Sequence, residues 1–402
     1  MTKQLSKIVG LVFILNNLSF MPGLGPVLYA IVTLSLVILT ANSGRVYVSG
    51  TMMWLYAACL LSILANNVPA FFNPYQRFAL FFVMTLLLSP ALKSDSLSSF
   101  RYNLFYAILY FLKYVVLISF VLGLMHMGYN RLYFQGLARH SMLLGPFAAL
   151  CTLYCVCKFL GGGLEKKAKM FYSVLMLASL YCLLQAASRT AFIACAISTV
   201  VLLTVYYRNN LGRYFKVVFT LGIVLALSFP VWNRFMDKLV EKNQGDVTSL
   251  SVDSREALWK TRVKEFNCSP IIGIGFSTVD IDNKEGSTYS SDGKVETGSS
   301  WLCVLSMTGI MGFIPICLVF IMSFVKVWKM LDYVPLLSCF LIALQCFWIL
   351  HMMTEGYVYA GGSSLFFCLW LLLGVMSGLP DDVELADSYQ DIFFKRDAEL
   401  CA

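Results

Sequence analysis

The sequence predicts an all-α polytopic membrane protein with about twelve transmembrane helices and one large external loop. Three observations carry that expectation. Composition is 59% hydrophobic and only 13% charged over 402 residues, with mean hydropathy +0.74, which lies outside the range of soluble domains. Apolar runs of about twenty residues, the helix length that crosses a hydrocarbon core of roughly 30 Å, recur with short polar turns between them. Between Val231 and Ser300 that pattern stops, and most polar residues able to do chemistry are gathered there. The spans must be helical, because unpaired backbone groups are too costly in lipid.

In chain order the spans fall at 5–21, 26–42, 50–66, 76–92, 103–126, 142–160, 168–187, 189–207, 214–230, 299–327, 333–352 and 358–378. The chain thus divides into nine spans over 1–230, an external loop with an amphipathic helix over 231–298, three spans over 299–378, and a cytoplasmic tail over 379–402. The first span lacks a small-residue cleavage site after its apolar stretch and reads as a retained helix. No internal repeat or low-complexity segment stands out.

Orientation follows from the basic residues. Lys3, Lys7, Arg45, Lys93, Arg101, the cluster Lys158, Lys166, Lys167 and Lys169, then Arg208, Arg213, Lys216, Lys326 and Lys329 all fall on one side, predicted to be cytoplasmic. Arg77, Arg131 and Arg139 lie on the other. These anchors account for much of the net charge of +8, so the charge is no sign of nucleic-acid binding. Of the thirteen cysteines most sit inside apolar spans, which argues against a disulfide framework; Cys151 and Cys155 at helical spacing read as packing in preference to metal binding. Asp381, Asp382, Glu384 and Asp387 make the tail acidic, and it reads as solvated. Lys113, inside the fifth span, has no explanation at this level.

Arg189 stands at the junction of two apolar runs with almost no loop around it. It can be an interfacial anchor, or a guanidinium fork aimed at phosphate or carboxylate, for which its bidentate geometry is suited. His140, next to Arg139 at the start of the sixth span, can cap that helix or supply a titratable nitrogen, and Arg139 beside it strengthens the case for an anion site. In the long loop, Ser254-Arg255-Glu256-Ala257-Leu258-Trp259-Lys260 has helical apolar spacing, which a helix lying on the bilayer would explain without chemistry. Ser269-Pro270-Ile271-Ile272-Gly273-Ile274-Gly275 then breaks the helix, and its glycines alone do not make a nucleotide site. The return to the membrane, Glu296-Thr297-Gly298-Ser299-Ser300-Trp301, places polar residues at a helix start whose dipole favours anions; ordinary capping by Ser299 or Thr297 is compatible with this.

In order and spacing, Arg139-His140, Ser188-Arg189, Arg255 with Trp259, Gly273 with Gly275, and Gly309-Ile310-Met311-Gly312 resemble the O-antigen polymerase and O-antigen ligase family over roughly 136–374. The resemblance implies a GT-C-like glycosyltransferase of the bacterial inner membrane, facing the periplasm or exterior, with an undecaprenyl diphosphate-linked oligosaccharide as donor. It also implies membrane lipid as surroundings and a chain-length regulator and flippase as candidate partners, with no nucleic acid. Ligases of the family carry His-Asn where this chain has Gly298-Ser299, a departure that points to the polymerase branch, which Glu296 to Leu302 and Glu355-Gly356-Tyr357 resemble.

A lipid diphosphate is already a stabilised leaving group, so such an enzyme needs cationic donors more than a metal. Arg189 and Arg255 are the expected diphosphate ligands, assisted by Arg139 or His140. Glu296 is the nearest candidate base, with His140 the alternative; Glu296 can equally be a solvated partner of the helix N-terminus. No paired carboxylates and no metal-ligand spacing are evident, so direct inverting displacement without metal or cofactor is expected. Trp259, Trp301 and Tyr357, with Tyr289 and Tyr359, could stack on sugar faces or serve as interfacial aromatics. A transporter should show duplication and charges deep within spans, and a scaffold would need no convergent arginines.

Overall fold

The structure is a computed structural model that describes residues 2–130, 133–227, 252–281, 289, 293 and 295–394, with backbone alone at 218, 221–227 and 252–255. Its helices are α1 (Thr2–Asn16), α2 (Gly25–Ala41), α3 (Gly50–Ala65), α4 (Pro74–Leu88), α5 (Asp95–Leu124), α6 (Ser141–Gly161), α7 (Lys166–Gln185), α8 (Arg189–Tyr206) and α9 (Leu211–Leu227). They continue with α10 (Val252–Cys268), α11 (Ser300–Lys329), α12 (Pro335–His351), α13 (Ser364–Ser377) and α14 (Val383–Phe394). Two short antiparallel pairs tie loops together: β1 (Tyr47–Val48) with β2 (Leu92–Lys93), and β3 (Tyr129–Asn130) with β4 (Tyr133–Phe134).

The helix starts follow local chemistry. Pro74 and Pro335 occupy first-turn positions where a missing N–H costs nothing. Ser94 caps α5 by accepting from Leu97 N–H at 3.2 Å, and Asp95 adds a favourable charge to that first turn. Among the described residues, six helical segments are long and apolar enough to cross a membrane: 70–88, α5, α6, α7, α8 and α11. Helices α2, α3, α12 and α13 are apolar but shorter, at 14 to 17 residues.

Helix α13 lies at the centre, with every residue from Leu365 to Met376 buried. Phe81 of α4 joins it to the site end: its ring lies 5.4–5.9 Å from those of Tyr359, Phe276, Trp370 and Phe366. Lys113 is 4% exposed and lies 5.0, 5.6 and 5.9 Å from the rings of Tyr110, Tyr154 and Tyr172, so three π faces account for a charge within α5.

Three features differ from the sequence reading. The last long helix begins at Ser364, not near 358, because Gly361-Gly362 belong to a loop whose turn is closed by Ser363 N–H on the Ala360 carbonyl at 2.7 Å. The acidic tail is not simply solvated. Its α14 buries Ala386, Tyr389 and Phe393; Tyr389 stacks on Tyr102 at 4.1 Å, and Tyr154 and Lys158 donate to the Phe393 and Phe394 carbonyls at 2.5 and 2.9 Å.

The third difference is a break inside α11. Gly309 takes φ +60°, ψ −162°, splitting the helix into a short arm, Ser300 to Thr308, and a long arm to Lys329. The Pro270–Gly275 segment fills the break: Ile274 and Gly275 donate N–H to the Ser306 and Met307 carbonyls at 2.9 and 3.2 Å, while Ile310 and Met311 donate to the Pro270 and Ile271 carbonyls at 2.9 and 3.1 Å. Ser62 of α3 adds a bond to the Met307 carbonyl at 2.5 Å, and Asn66 one to the Gly273 carbonyl at 3.1 Å. An interrupted helix is tolerated only where its freed groups are satisfied in this way. Both glycines are required. Gly273 sits at φ +72° with a would-be Cβ inside the Met307 backbone, and a Cβ on Gly309 would overlap the Ile271 carbonyl.

Candidate active site

The N-terminus of α11 gathers segments remote in sequence. Ser299 caps it, its Oγ facing Leu302 N–H at 3.5 Å. The loop after α12 closes on the first turn. Ser300 N–H donates to the carbonyls of Met352 and Glu355 at 2.9 and 3.0 Å, Ser300 Oγ donates to the Glu355 carbonyl at 2.6 Å, and Tyr357 N–H donates back to Ser300 Oγ at 3.0 Å. Gly356 leaves the space that Thr297 occupies, since a Cβ there would collide with the threonine side chain.

Two further elements dock on this turn. Thr354 Oγ1 donates to Thr190 Oγ1 at 2.7 Å, which fixes the start of α8, and with it Arg189, beside the loop. Trp259 of α10 donates its indole N–H to the Gly298 carbonyl at 3.2 Å, and Leu258 packs on Gly298. The start of α6 lies close behind: a Cβ on Gly145 would meet the Ser188 side chain at 2.9 Å.

Arg189 is half-buried as the first residue of α8, Glu296 is exposed four residues before α11, and Trp259 is exposed with its indole tied to Gly298. The segments that carry those three residues meet at the start of α11. Arg255 lies in the first turn of α10, one turn before Trp259; its side chain is outside the described residues. His140 is exposed at the N-cap of α6 without a side-chain cap bond. Arg139 is drawn elsewhere, donating Nη2 to the Met21 carbonyl at 2.9 Å, and so ties the α1–α2 turn to α6.

Tyr357 and Trp301, expected as sugar platforms, have their side chains engaged by the protein itself. The Tyr357 ring is 3% exposed and its hydroxyl bonds His351 Nδ1 at 3.1 Å; burial pushes that phenol well above its ordinary range. Trp301 donates to the Ile349 carbonyl at 3.1 Å and packs its ring 5.4 and 6.1 Å from Phe320 and Phe313. Trp301 thus ties α11 to α12, and Tyr357 ties the loop to α12 through its hydroxyl and to α11 through its N–H. Helix α10 also departs from a bilayer-lying helix, because its covered face holds Leu258, Thr261, Arg262 and Glu265 and rests on the short arm of α11.

That face carries a pair the sequence reading missed. Arg262 Nη1 meets Glu265 Oε2 at 2.8 Å with both side chains buried, and Glu265 Oε1 accepts Asp280 N–H at 2.9 Å. Burial raises the Glu265 carboxyl above its usual range, outweighing the adjacent guanidinium. Opposite charges at i, i+3 were the available signal, and they resemble a solvated surface pair until burial is known. Among the described residues no three His, Cys, Asp or Glu side chains gather where they could share a metal ion.

The sequence model of the O-antigen ligase family matches residues 174–317. That segment begins within α7, takes in Arg189 and α10, and ends in α11 beyond the break. No curated protein matches the chain.

Proposed function

The chain carries an O-antigen ligase family domain over residues 174–317, and from that premise we propose that it polymerises polysaccharide, joining undecaprenyl diphosphate-linked repeat units by metal-independent, inverting glycosyl transfer. The observation that carries this reading is the meeting of Arg189, the Trp259-bearing helix and the Glu296 segment at the α11 N-terminus. Polymerase is favoured over ligase by Gly298-Ser299, which stand where ligases carry His-Asn; here those positions serve the helix cap and the Trp259 bond.

In the proposed reaction, Arg189 and Arg255 hold the diphosphate of the growing chain. Charge moves onto phosphate as the C1–O bond breaks, so the guanidinium contacts strengthen in the transition state. An acceptor hydroxyl from a second lipid-linked unit attacks C1 from the opposite face, giving inversion, and Glu296 takes its proton, with His140 as the alternative base. The new glycosidic bond replaces the old C1–O bond and undecaprenyl diphosphate leaves.

The basic residues support a twelve-span topology with the site facing the periplasm or exterior of the bacterial inner membrane. Lys93, Lys158, Arg208 and Lys326 lie at the end opposite the site, the last two paired with Asp332 and Asp381. A flippase delivering donor and a regulator of chain length are the implied partners.

The test is purified protein mixed with lipid diphosphate-linked repeat units, with and without chelator, followed by chain-length analysis. Longer lipid-linked chains in chelator are expected. Transfer only to a lipid A core acceptor would replace this reading with ligase, and no transfer by folded protein would overturn both.

A further inference from the structure

Helix α10 brings Arg255 and Trp259 to the proposed site, and its own seat on the bundle is polar. Arg262 and Glu265, with relative exposures of 0% and 2%, face the short arm of α11, where Arg262 Nη1 also lies 3.5 Å from Ser306 Oγ. Stability does not account for this pair. Two buried ions lose hydration that their attraction seldom restores, and apolar residues of similar volume often serve as well or better. Arg262 Nε and Nη2 are buried without a hydrogen-bond partner among the described residues, which adds to the cost.

The pair supplies direction instead. Glu265 holds the Asp280 N–H and Arg262 together, and Arg262 reaches Ser306, whose carbonyl accepts Ile274 N–H. Helix α10, the segment that fills the α11 break and the short arm are thereby locked in one register. An apolar seat would let α10 slide or roll by an ångström at little cost.

We propose that Arg262 and Glu265 are positioning residues: their buried pair sets the register of α10 on the short arm of α11 and so places Arg255 for the donor diphosphate and Trp259 for its glycan. The inference rests on the polymerase reading for its catalytic consequence, and on the geometry alone for its structural one. Misplacement of catalytic groups by about 1 Å can cost on the order of a hundredfold in rate.

The test compares wild type with the double variant Arg262→Met/Glu265→Leu in lipid nanodiscs, reading thermal unfolding, hydrogen exchange of the α10 amides, and polymerisation kinetics with lipid-linked repeat units. Expected are an unfolding temperature no lower than wild type, at least tenfold faster exchange across 256–268, and kcat lowered at least tenfold with KM changed less than threefold. Unchanged exchange in α10 overturns the proposal, as does wild-type kcat alongside fast exchange. Should the double variant unfold early, Glu265→Gln replaces it, which keeps the shape but removes the charge and one of the two accepting oxygens that hold Arg262 and the Asp280 N–H, and the same two results decide. If wild type itself forms no polymer, the polymerase reading fails while the exchange comparison still decides whether the pair sets the register.

Discussion

At the scale of single residues, the site depends on guanidinium geometry. Arg189 is held by the helix it starts and by the Thr190–Thr354 bond beside it. Replacing its planar fork with a point ammonium keeps the charge and loses bidentate contact, so Arg189→Lys should lower turnover on the order of a hundredfold with little change in unfolding temperature. Initial rates of chain extension measure this; near-normal polymer length would remove Arg189 from the site. Arg255→Lys carries the same expectation. Glu265 makes a prediction in pH. Its folded-state carboxyl is raised by burial, so its contribution to stability is full below the ordinary glutamate range and is lost as pH rises through the raised value. Stability should therefore fall over that interval, and Glu265→Gln should flatten the decline. Unfolding temperature against pH for both proteins checks the sign; an equal slope would place the titration elsewhere.

At the scale of elements, the sequence was legible wherever hydropathy alone decides. Arg189 begins α8 and Ser299 caps α11 where the polar-to-apolar transitions place them. The break at Gly309 was not legible, because its cause lies about thirty-five residues earlier, in backbone donors and acceptors of Pro270–Gly275 that no local pattern reveals. Arg262 and Glu265 were missed for a similar reason: their spacing is that of an exposed pair, and only docking against Ser306 buries them. The close approach of Gly273 to the Met307 backbone gives a sharp prediction. Gly273→Ala would add left-handed strain of roughly 1–2 kcal/mol to an overlap with the Met307 backbone. It should destabilise the protein by several kcal/mol in total, as large effects from strain with overpacking do. Gly44→Ala, in open space, is the control, and should unfold like wild type. Equal unfolding temperatures for the two variants would mean that the segment does not hold the break.

At the scale of the whole molecule, the two ends of the bundle are built differently. The site end is closed by hydrogen bonds between loops, as at Ser300 with Glu355 and Thr190 with Thr354. The opposite end is closed by an aromatic cluster under α14, where Phe393 is fully buried with its ring 5.8 Å from both Phe105 and Tyr106. The acidic residues suggested a free tail because Asp381, Asp382, Glu384 and Asp387 dominate its composition, while the buried Ala386, Tyr389 and Phe393 follow helical spacing among them. Phe393→Ala should therefore undock α14, at a cost within the roughly 3–5 kcal/mol typical of buried Phe truncations. Undocking also releases Lys158 and Tyr154 from the Phe394 and Phe393 carbonyls. Limited proteolysis should then cut within 383–394 faster than in wild type. Extension rates at saturating donor should stay within about twofold, since the contacts described for α14 reach α5, α6 and the start of α12, away from the α11 N-terminus, and mutations at separate sites act independently. Unchanged cleavage would show that the helix is held without Phe393, and a lost extension rate would show that the two ends are coupled through α5 and α12, the helices that carry both the α14 contacts and the loops of the site end.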